Sequence, residues 1–335
     1  MTAFDYYLSL EHQPAPAAVE TAVLAERAGI ERVWAADHFH PWFDSLPDGT
    51  SANSADCWTW LPAALARTDE LRIGTSGTAF VHRHHPADVA HRLATVLELF
   101  PERAFLGLGT GTAMNELPLG YPWPPYGERA KRTAEGIRLF RRLFTDSFVD
   151  HDGQFWTVDG ANLYAGPDEP PPVVVAGGGP TTARLAGDLG DGFLTVYRDP
   201  ETVTEELFPA LETGIERSGR NDSLESLEKT VLLNCSYATN EWDAVESCRP
   251  LAGSLLPVFF EAGIADPRYI QRHGEKVGDE QIREEFLIAT DPGDVLEAIE
   301  PYIEAGFDRI AFHDNSPDRG ATLSMLERDV FPSFE

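Results

Sequence analysis

Three observations predict an α/β fold of the (β/α)8 barrel class, eight parallel strands closed into a ring. Short apolar, β-rich runs alternate with helical patterns eight times along the 335 residues. Several runs, such as VWAA at 33–36 and VVVA at 173–176, are apolar on both faces, as strands buried between barrel interior and helices must be. Polar or glycine-rich residues follow the strands in succession, and the C-terminal strand ends are where barrel enzymes assemble their sites. A doubly wound sheet is the alternative, but eight repeats of this spacing favour closure.

The elements follow in order. Residues 4–10 read as the first strand. A helix over 16–28 opens with proline at its first position and closes at Gly29. The second strand, 32–36, ends abruptly in DHFHPW, and a polar loop leads to a helix over 56–66. The third strand covers 71–79 and is followed by a helix over 86–99 with proline in its first turn. Residues 103–108 form the fourth strand, before a long basic amphipathic helix over 127–143. The fifth strand is the nearly pure valine run 172–176, followed by a glycine turn and a helix over 181–189. Residues 192–196 are the sixth strand, with a helix over 201–217. Residues 229–237 are the seventh and 309–313 the eighth, before a terminal helix. Two connections exceed plain turns: about 146–171 reads as a small β excursion, and about 237–290 as a larger helical insertion. Long structured loops on a barrel commonly shape the substrate pocket. With neither linker nor repeat, residues 1–335 read as one domain.

Composition excludes several function classes. Acidic residues outnumber basic ones 55 to 26, a net charge of −29, and only Lys131, Lys229 and Lys276 are lysines. Nucleic acid and anionic membranes are poor partners for such a surface. The acidity is dispersed and lysine-poor, which fits adaptation to high salt, where screening quiets self-repulsion. Three widely spaced cysteines, Cys57, Cys235 and Cys248, support neither a disulfide framework nor a structural zinc. The first residues lack a basic flank and a long apolar run, and no later stretch is apolar for the roughly 18 residues of a membrane span. The expectation is a soluble, cytoplasmic protein.

The chemistry-bearing residues fall at one end of the expected barrel. Glu11 and His12 follow strand one, and Asp37, His38 and Trp42 follow strand two. Ser76 and Gly77 end strand three, Thr110, Gly111, Thr112 and Asn115 follow strand four, and Gly177, Gly178 and Gly179 follow strand five. Any one such group is more often a cap, a satisfied core histidine or a turn; five in register make that explanation insufficient. In AGGGPTTARLAG, glycines allow close backbone approach and Thr181 and Thr182 open a helix with free N–H groups, a candidate phosphate site. It is neither a Walker loop nor a dinucleotide fingerprint. His38 is a candidate base and Glu11 a second acid/base group. Trp42 and Trp60 are candidate walls for a flat ring, although tryptophan is more often simple packing. The histidines of VHRHHP (81–86) read as a solvent-facing loop edge, so no metal site is assigned.

SLEHQPAP, ADHFHPW, IGTS, LGTGTAMNE, VVVAGGGP and LGDGF, in that order, resemble the luciferase-like flavin and deazaflavin oxidoreductases. Within them the chain is most similar to the coenzyme F420-dependent alcohol and glucose-6-phosphate dehydrogenase branch. The resemblance runs from about Tyr6 to the final helix. It implies the bacterial luciferase-like (β/α)8 barrel, coenzyme F420 as cofactor (FMN being the alternative) and a homodimer. It also implies that Asp37 contacts the deazaflavin ring and that Ser76-Gly77 forms a bulge behind it, often with a non-prolyl cis peptide. Thr110, Gly111 and Asn115 would hold the ring and ribityl chain, and Gly177, Gly178, Gly179 and Thr181 the phosphate. His38, Trp42 and Glu11 would face the substrate, His38 taking the hydroxyl proton while hydride moves to C5 of the deazaflavin.

Two departures bear on the substrate. The family usually places after GTG a glutamate proposed to handle the cofactor proton, and this chain has Thr112, which cannot act as an acid at neutral pH. Glu11 or Glu116 substitutes, or no second acid is needed, or activity is altered. The glucose-6-phosphate branch clamps its phosphate with basic residues where this chain keeps only Arg198 and places Glu285. A carboxylate beside a phosphate is repulsive, so a small neutral alcohol or its carbonyl product is expected. The alternatives are a sugar-phosphate dehydrogenase, an FMN-dependent monooxygenase, and a cofactor-binding protein without turnover.

Overall fold

In the computed structural model, which describes residues 2–46, 48–167, 169–196, 199–220 and 222–334, eight strands pair in parallel and close on themselves. They are β1 (Ala3–Leu8), β2 (Arg32–Ala36), β3 (Arg72–Ser76), β4 (Ala104–Leu108), β5 (Val173–Ala176), β6 (Gly192–Val196), β7 (Glu228–Tyr237) and β8 (Arg309–Asp314). The ring follows chain order and closes where Ala3–Tyr7 pair with Arg309–His313. The barrel helices are α1 (Ala15–Arg27), α2 (Cys57–Leu65), α3 (Pro86–Leu99), α4 (Tyr126–Thr145), α5 (Pro180–Leu189), α6 (Phe208–Ser218), α7 (Pro292–Glu304) and α8 (Arg319–Met325).

Alternation along each strand divides the buried side chains into two cores. One set meets the helices in the main core. The other plugs the barrel: Trp34, Phe105, Val174, Leu194, Leu232 and Ala311 form one interior layer, with Trp34 and Phe105 edge to face at 4.7 Å. A Cβ on Gly74 would lie 2.1 Å from the Phe105 ring, so glycine is what admits that ring. Below the plug, buried Asp5 accepts from Trp34 Nε1 at 2.8 Å and from Arg309 Nη2 at 2.7 Å. Above it, Tyr7, Asn234 and His313 occupy the same inward parity, one layer nearer the C-terminal mouth.

Both insertions are structured. Residues 146–171 contain the antiparallel hairpin Val149–Asp152/Thr157–Ala161, tied to α4 by Glu135, which accepts from the amides of Phe155 and Trp156. Residues 237–290 carry the helices Glu241–Cys248, Val258–Glu261, Pro267–Gly274 and Asp279–Glu285 and a short strand, Leu287–Ala289, added to the end of β7. This insertion shares a separate apolar cluster with Trp42, Phe43 and Met114, which roofs the mouth beside the end of β2.

Three expected boundaries move. The first strand ends at Leu8, not residue 10. The third stops at Ser76 because Gly77 adopts φ +83, after which Thr78 bridges Leu108. The helix expected over 201–217 is interrupted: Val203–Leu207 widens to π geometry before Phe208–Ser218, where Pro209 lacks the N–H that a regular turn requires. No helix among the described residues is long and apolar enough to cross a membrane.

Candidate active site

Glu11, His38 and Trp42 converge. One Glu11 carboxylate oxygen bonds His38 Nδ1, and the other accepts from the Trp42 amide at 3.0 Å. Glu11 is buried and the His38 side chain 12% exposed, so the pair sits at the edge of solvent. The imidazole is aimed by the backbone on both sides. Asn115, in the short helix Ala113–Glu116, accepts from the Phe39 amide at 2.7 Å and donates to the Asp37 carbonyl at 3.1 Å. Ser54 donates to the His38 carbonyl at 2.7 Å. With Nδ1 engaged by a carboxylate, Nε2 is the nitrogen left open, an arrangement in which a carboxylate can support an imidazole acting as a base.

Asp37 lies beside this pair with its carboxylate enclosed. Thr78 and Trp58 donate to it at 2.6 and 3.3 Å, and His84 Nε2 and Arg83 Nη2 each approach to 3.0 Å. Burial alone would raise its pKa. His84, Arg83 and Thr78 outweigh burial and hold it well below the usual carboxylate range. The expectation of a solvent-facing VHRHHP loop is therefore wrong: His84 is 4% exposed, and His85 caps α3 by accepting from the Ala87 amide. The missed signal was positional, since these histidines follow the end of β3 as Asp37 follows β2. Glu116 accepts from the Arg83 amide at 3.0 Å, and burial raises its pKa. It belongs to the Arg83 loop, whereas Glu11 bonds His38. Trp60 is a correction too, packing in the main core between strands and helices.

The ends of β3, β4 and β5 meet. A Cβ on Gly109 would stand 3.5 Å from Gly77 Cα and 3.9 Å from the Ala176 carbonyl. No cis peptide occurs among the described residues, so the Ser76-Gly77 bulge arises from the positive φ of Gly77 with a trans bond. The carbonyls of Thr110 and Gly111 accept from Arg129 at 3.2 and 3.0 Å, and Arg129 stacks 3.9 Å over Trp123. The Thr112 hydroxyl is buried without a protein partner. After β5, Gly177, Gly178 and Gly179 lead into α5, where exposed Thr181 follows Pro180. Thr182 differs from expectation: its amide bonds the Gly179 carbonyl and its hydroxyl pairs with Tyr126 at 2.6 Å. Arg198 lies outside the described residues. Among those residues no group of three His, Cys, Asp or Glu side chains is placed to hold a metal.

Residues 2–309 match the luciferase-like monooxygenase family, and the chain belongs to it. The F420-dependent glucose-6-phosphate dehydrogenase of Nocardia farcinica (strain IFM 10152) is 35% identical over 317 residues, 94% of this chain and 92% of that protein. The protein of the same name from Microbacterium testaceum (strain StLB037) is 34% identical over 331 residues, covering 98% and 96%. Among solved structures, an F420-dependent secondary alcohol dehydrogenase in complex with an F420-acetone adduct superposes with TM-score 0.93 at 34% identity, covering 100% of this chain and 99% of that one.

Proposed function

We propose that this chain is a coenzyme F420-dependent oxidoreductase acting on CH–OH groups, its substrate a small neutral secondary alcohol or, in reverse, the carbonyl product. The observation that carries the reading is the Glu11–His38 pair, braced by the Trp42 amide, at the strand ends of a barrel this similar to an F420-dependent secondary alcohol dehydrogenase.

The residues fit the cofactor. A Cβ on Gly77 or Gly179 would meet nothing within 4 Å, so both glycines border open space, as a ring and a phosphate require. Ser76 and Gly77 would back the ring, and Thr110, Gly111 and Asn115 would line the ring and ribityl chain. Gly177, Gly178, Gly179 and Thr181 would receive the phosphate at the α5 N-terminus. Asp37, its carboxylate already enclosed by protein, would support the ring from behind.

Bound F420 supplies the hydride acceptor at C5. His38 Nε2 removes the hydroxyl proton as the substrate's C–H bond breaks, and Glu11 holds the resulting imidazolium in place. Trp42, its ring 6.0 Å from that of His38 and 5.0 Å from Phe260, would offer the substrate an apolar wall. Thr112 cannot supply an acid, so the Glu11–His38 pair carries the proton traffic.

A sugar phosphate is the second reading, favoured by the names of the relatives. Glu285 opposes it by placing a carboxylate where a phosphate clamp is expected. The test is titration with F420, FMN and NADP in molar salt, followed by bleaching of the deazaflavin absorbance with isopropanol or glucose 6-phosphate. F420 binding with bleaching by isopropanol alone supports the reading. Preference for FMN overturns the cofactor, and bleaching by glucose 6-phosphate alone overturns the substrate class.

A further inference from the structure

We infer that His12, His313, Asn315 and Arg319, on the β8–β1 side of the mouth, form a subsite for a second hydroxyl group, so that the substrate is a neutral diol or polyol. The inference rests on the alcohol reading above and adds a recognition element to it.

Ala311 belongs to the barrel plug, so His313, two residues on, points into the same interior one layer nearer the mouth. Its ring packs 4.5 Å from Tyr7. Nδ1 bonds Asn234 Oδ1 at 2.7 Å, which makes it the donor and leaves Nε2 with a lone pair. That Nε2 is buried without a protein partner. The His12 ring lies 6.1 Å away, 9% exposed, with both nitrogens unpartnered. Asn315 donates to the His313 carbonyl at 2.8 Å, and its own Oδ1 is unpartnered. Arg319 opens α8 half-buried and makes no ion pair or hydrogen bond among the described residues. Buried polar atoms are normally partnered. Four unpartnered atoms on three neighbouring side chains, beside the partly exposed, inward-directed Tyr7 and Asn234, point to a ligand.

The donor–acceptor balance identifies its class. Burial, then Arg319 and His38, lower the His313 pKa to about 3. Burial, then Arg319 and His313, hold His12 well below the usual imidazole range. Both rings are thus neutral at physiological pH, and the cluster offers acceptors at His313 Nε2, Asn315 Oδ1 and one His12 nitrogen. Donors are the other His12 nitrogen and the Arg319 guanidinium. A carboxylate or phosphate brings only acceptor oxygens and would face these lone pairs. A hydroxyl both donates and accepts, so it suits the mixture. Nearby Asp314 takes no part, its oxygens accepting from Tyr6 and the Ser316 amide. Glu11, which bonds His38, immediately precedes His12, whose ring lies 6.1 Å from that of His313, so the cluster borders the proposed base and one small molecule can span both.

The test uses a matched four-carbon series, butan-2-ol, butane-2,3-diol and 3-hydroxybutyrate, with the F420-loaded enzyme. Bleaching rates give kcat/KM, and calorimetric titration gives binding independently of turnover. The diol is expected to exceed butan-2-ol by about tenfold in both, as one added buried hydrogen bond allows, and to exceed 3-hydroxybutyrate. In His12→Leu, and separately in Arg319→Met, the diol-to-monoalcohol ratio falls toward one. Equal values for diol and monoalcohol in the unmodified enzyme overturn the inference, as does preference for 3-hydroxybutyrate. Loss of F420 affinity in step with diol affinity also overturns it, reassigning the cluster to the cofactor's polar edge. If no alcohol bleaches F420, the dehydrogenase reading fails, while calorimetric diol binding and its loss in His12→Leu still decide the subsite.

Discussion

Glu11 holds the Nδ1 side of the His38 ring, and in the proposed reaction the two would act as one device, with Nε2 toward the substrate. Glu11→Gln or His38→Asn is expected to lower kcat/KM for a secondary alcohol by about 10²–10⁴-fold. The double variant should lose little more than the worse single, because groups that act as a unit are non-additive; multiplying losses would show that they act separately. Asp37 makes a different prediction. Its pKa is depressed in the folded protein, so its contribution to stability is complete above the ordinary carboxylate value of about 3.9. That contribution is lost as pH falls through the folded value. Asp37→Asn should flatten the acid limb of a Tm-against-pH curve and cost about 3–5 kcal/mol at neutral pH, because the enclosed Arg83 loses its counter-charge. An unchanged acid limb would show that Asp37 does not control it. That Glu11, His38 and Trp42 would lie together was legible in the sequence because they follow the ends of β1 and β2, which pair as neighbours. His84 was not: histidine beside arginine reads the same in a solvated loop, and its partner lies on another strand end.

At the scale of elements, the apolar runs located all eight strands, since a strand buried on both faces must be apolar whatever its neighbours. Their ends were less legible. β3 stops where Gly77 takes φ +83, a backbone choice that a glycine permits but does not dictate. Glycine is also what lets α5 and α6 touch. A Cβ on Gly187 would lie 2.1 Å from the Leu211 carbonyl, and one on Gly214 2.1 Å from the Arg184 carbonyl. Each contact is with backbone, so no side chain can swing away. Gly214→Ala should therefore destabilise the fold by about 1–3 kcal/mol through overpacking, read as a lower denaturation midpoint with unchanged m-value. Stability within 0.5 kcal/mol of the parent would show that the two helices can separate at little cost.

Over the whole molecule the net charge of −29 dominates. Some ion pairs are enclosed: in Asp5–Arg309 and Asp37–Arg83 the carboxylates are fully buried and the arginines 8% and 11% exposed. Salt screens such pairs weakly, whereas repulsion among dispersed surface carboxylates acts over longer distances. The Debye length falls from about 10 Å at 0.1 M to about 3 Å at 1 M. Added salt should remove the repulsion first and leave the buried attractions. Tm is therefore expected to rise between 0.1 and 1 M KCl and then level off, with little change in F420 affinity if Gly179 and Thr181 bind the phosphate largely through backbone N–H groups. The two effects separate experimentally. A Tm that falls over this range would mean that exposed ion pairs, not repulsion, govern stability. A rising Tm with F420 affinity falling tenfold or more would mean that mobile cationic side chains, not the α5 N-terminus, hold the phosphate.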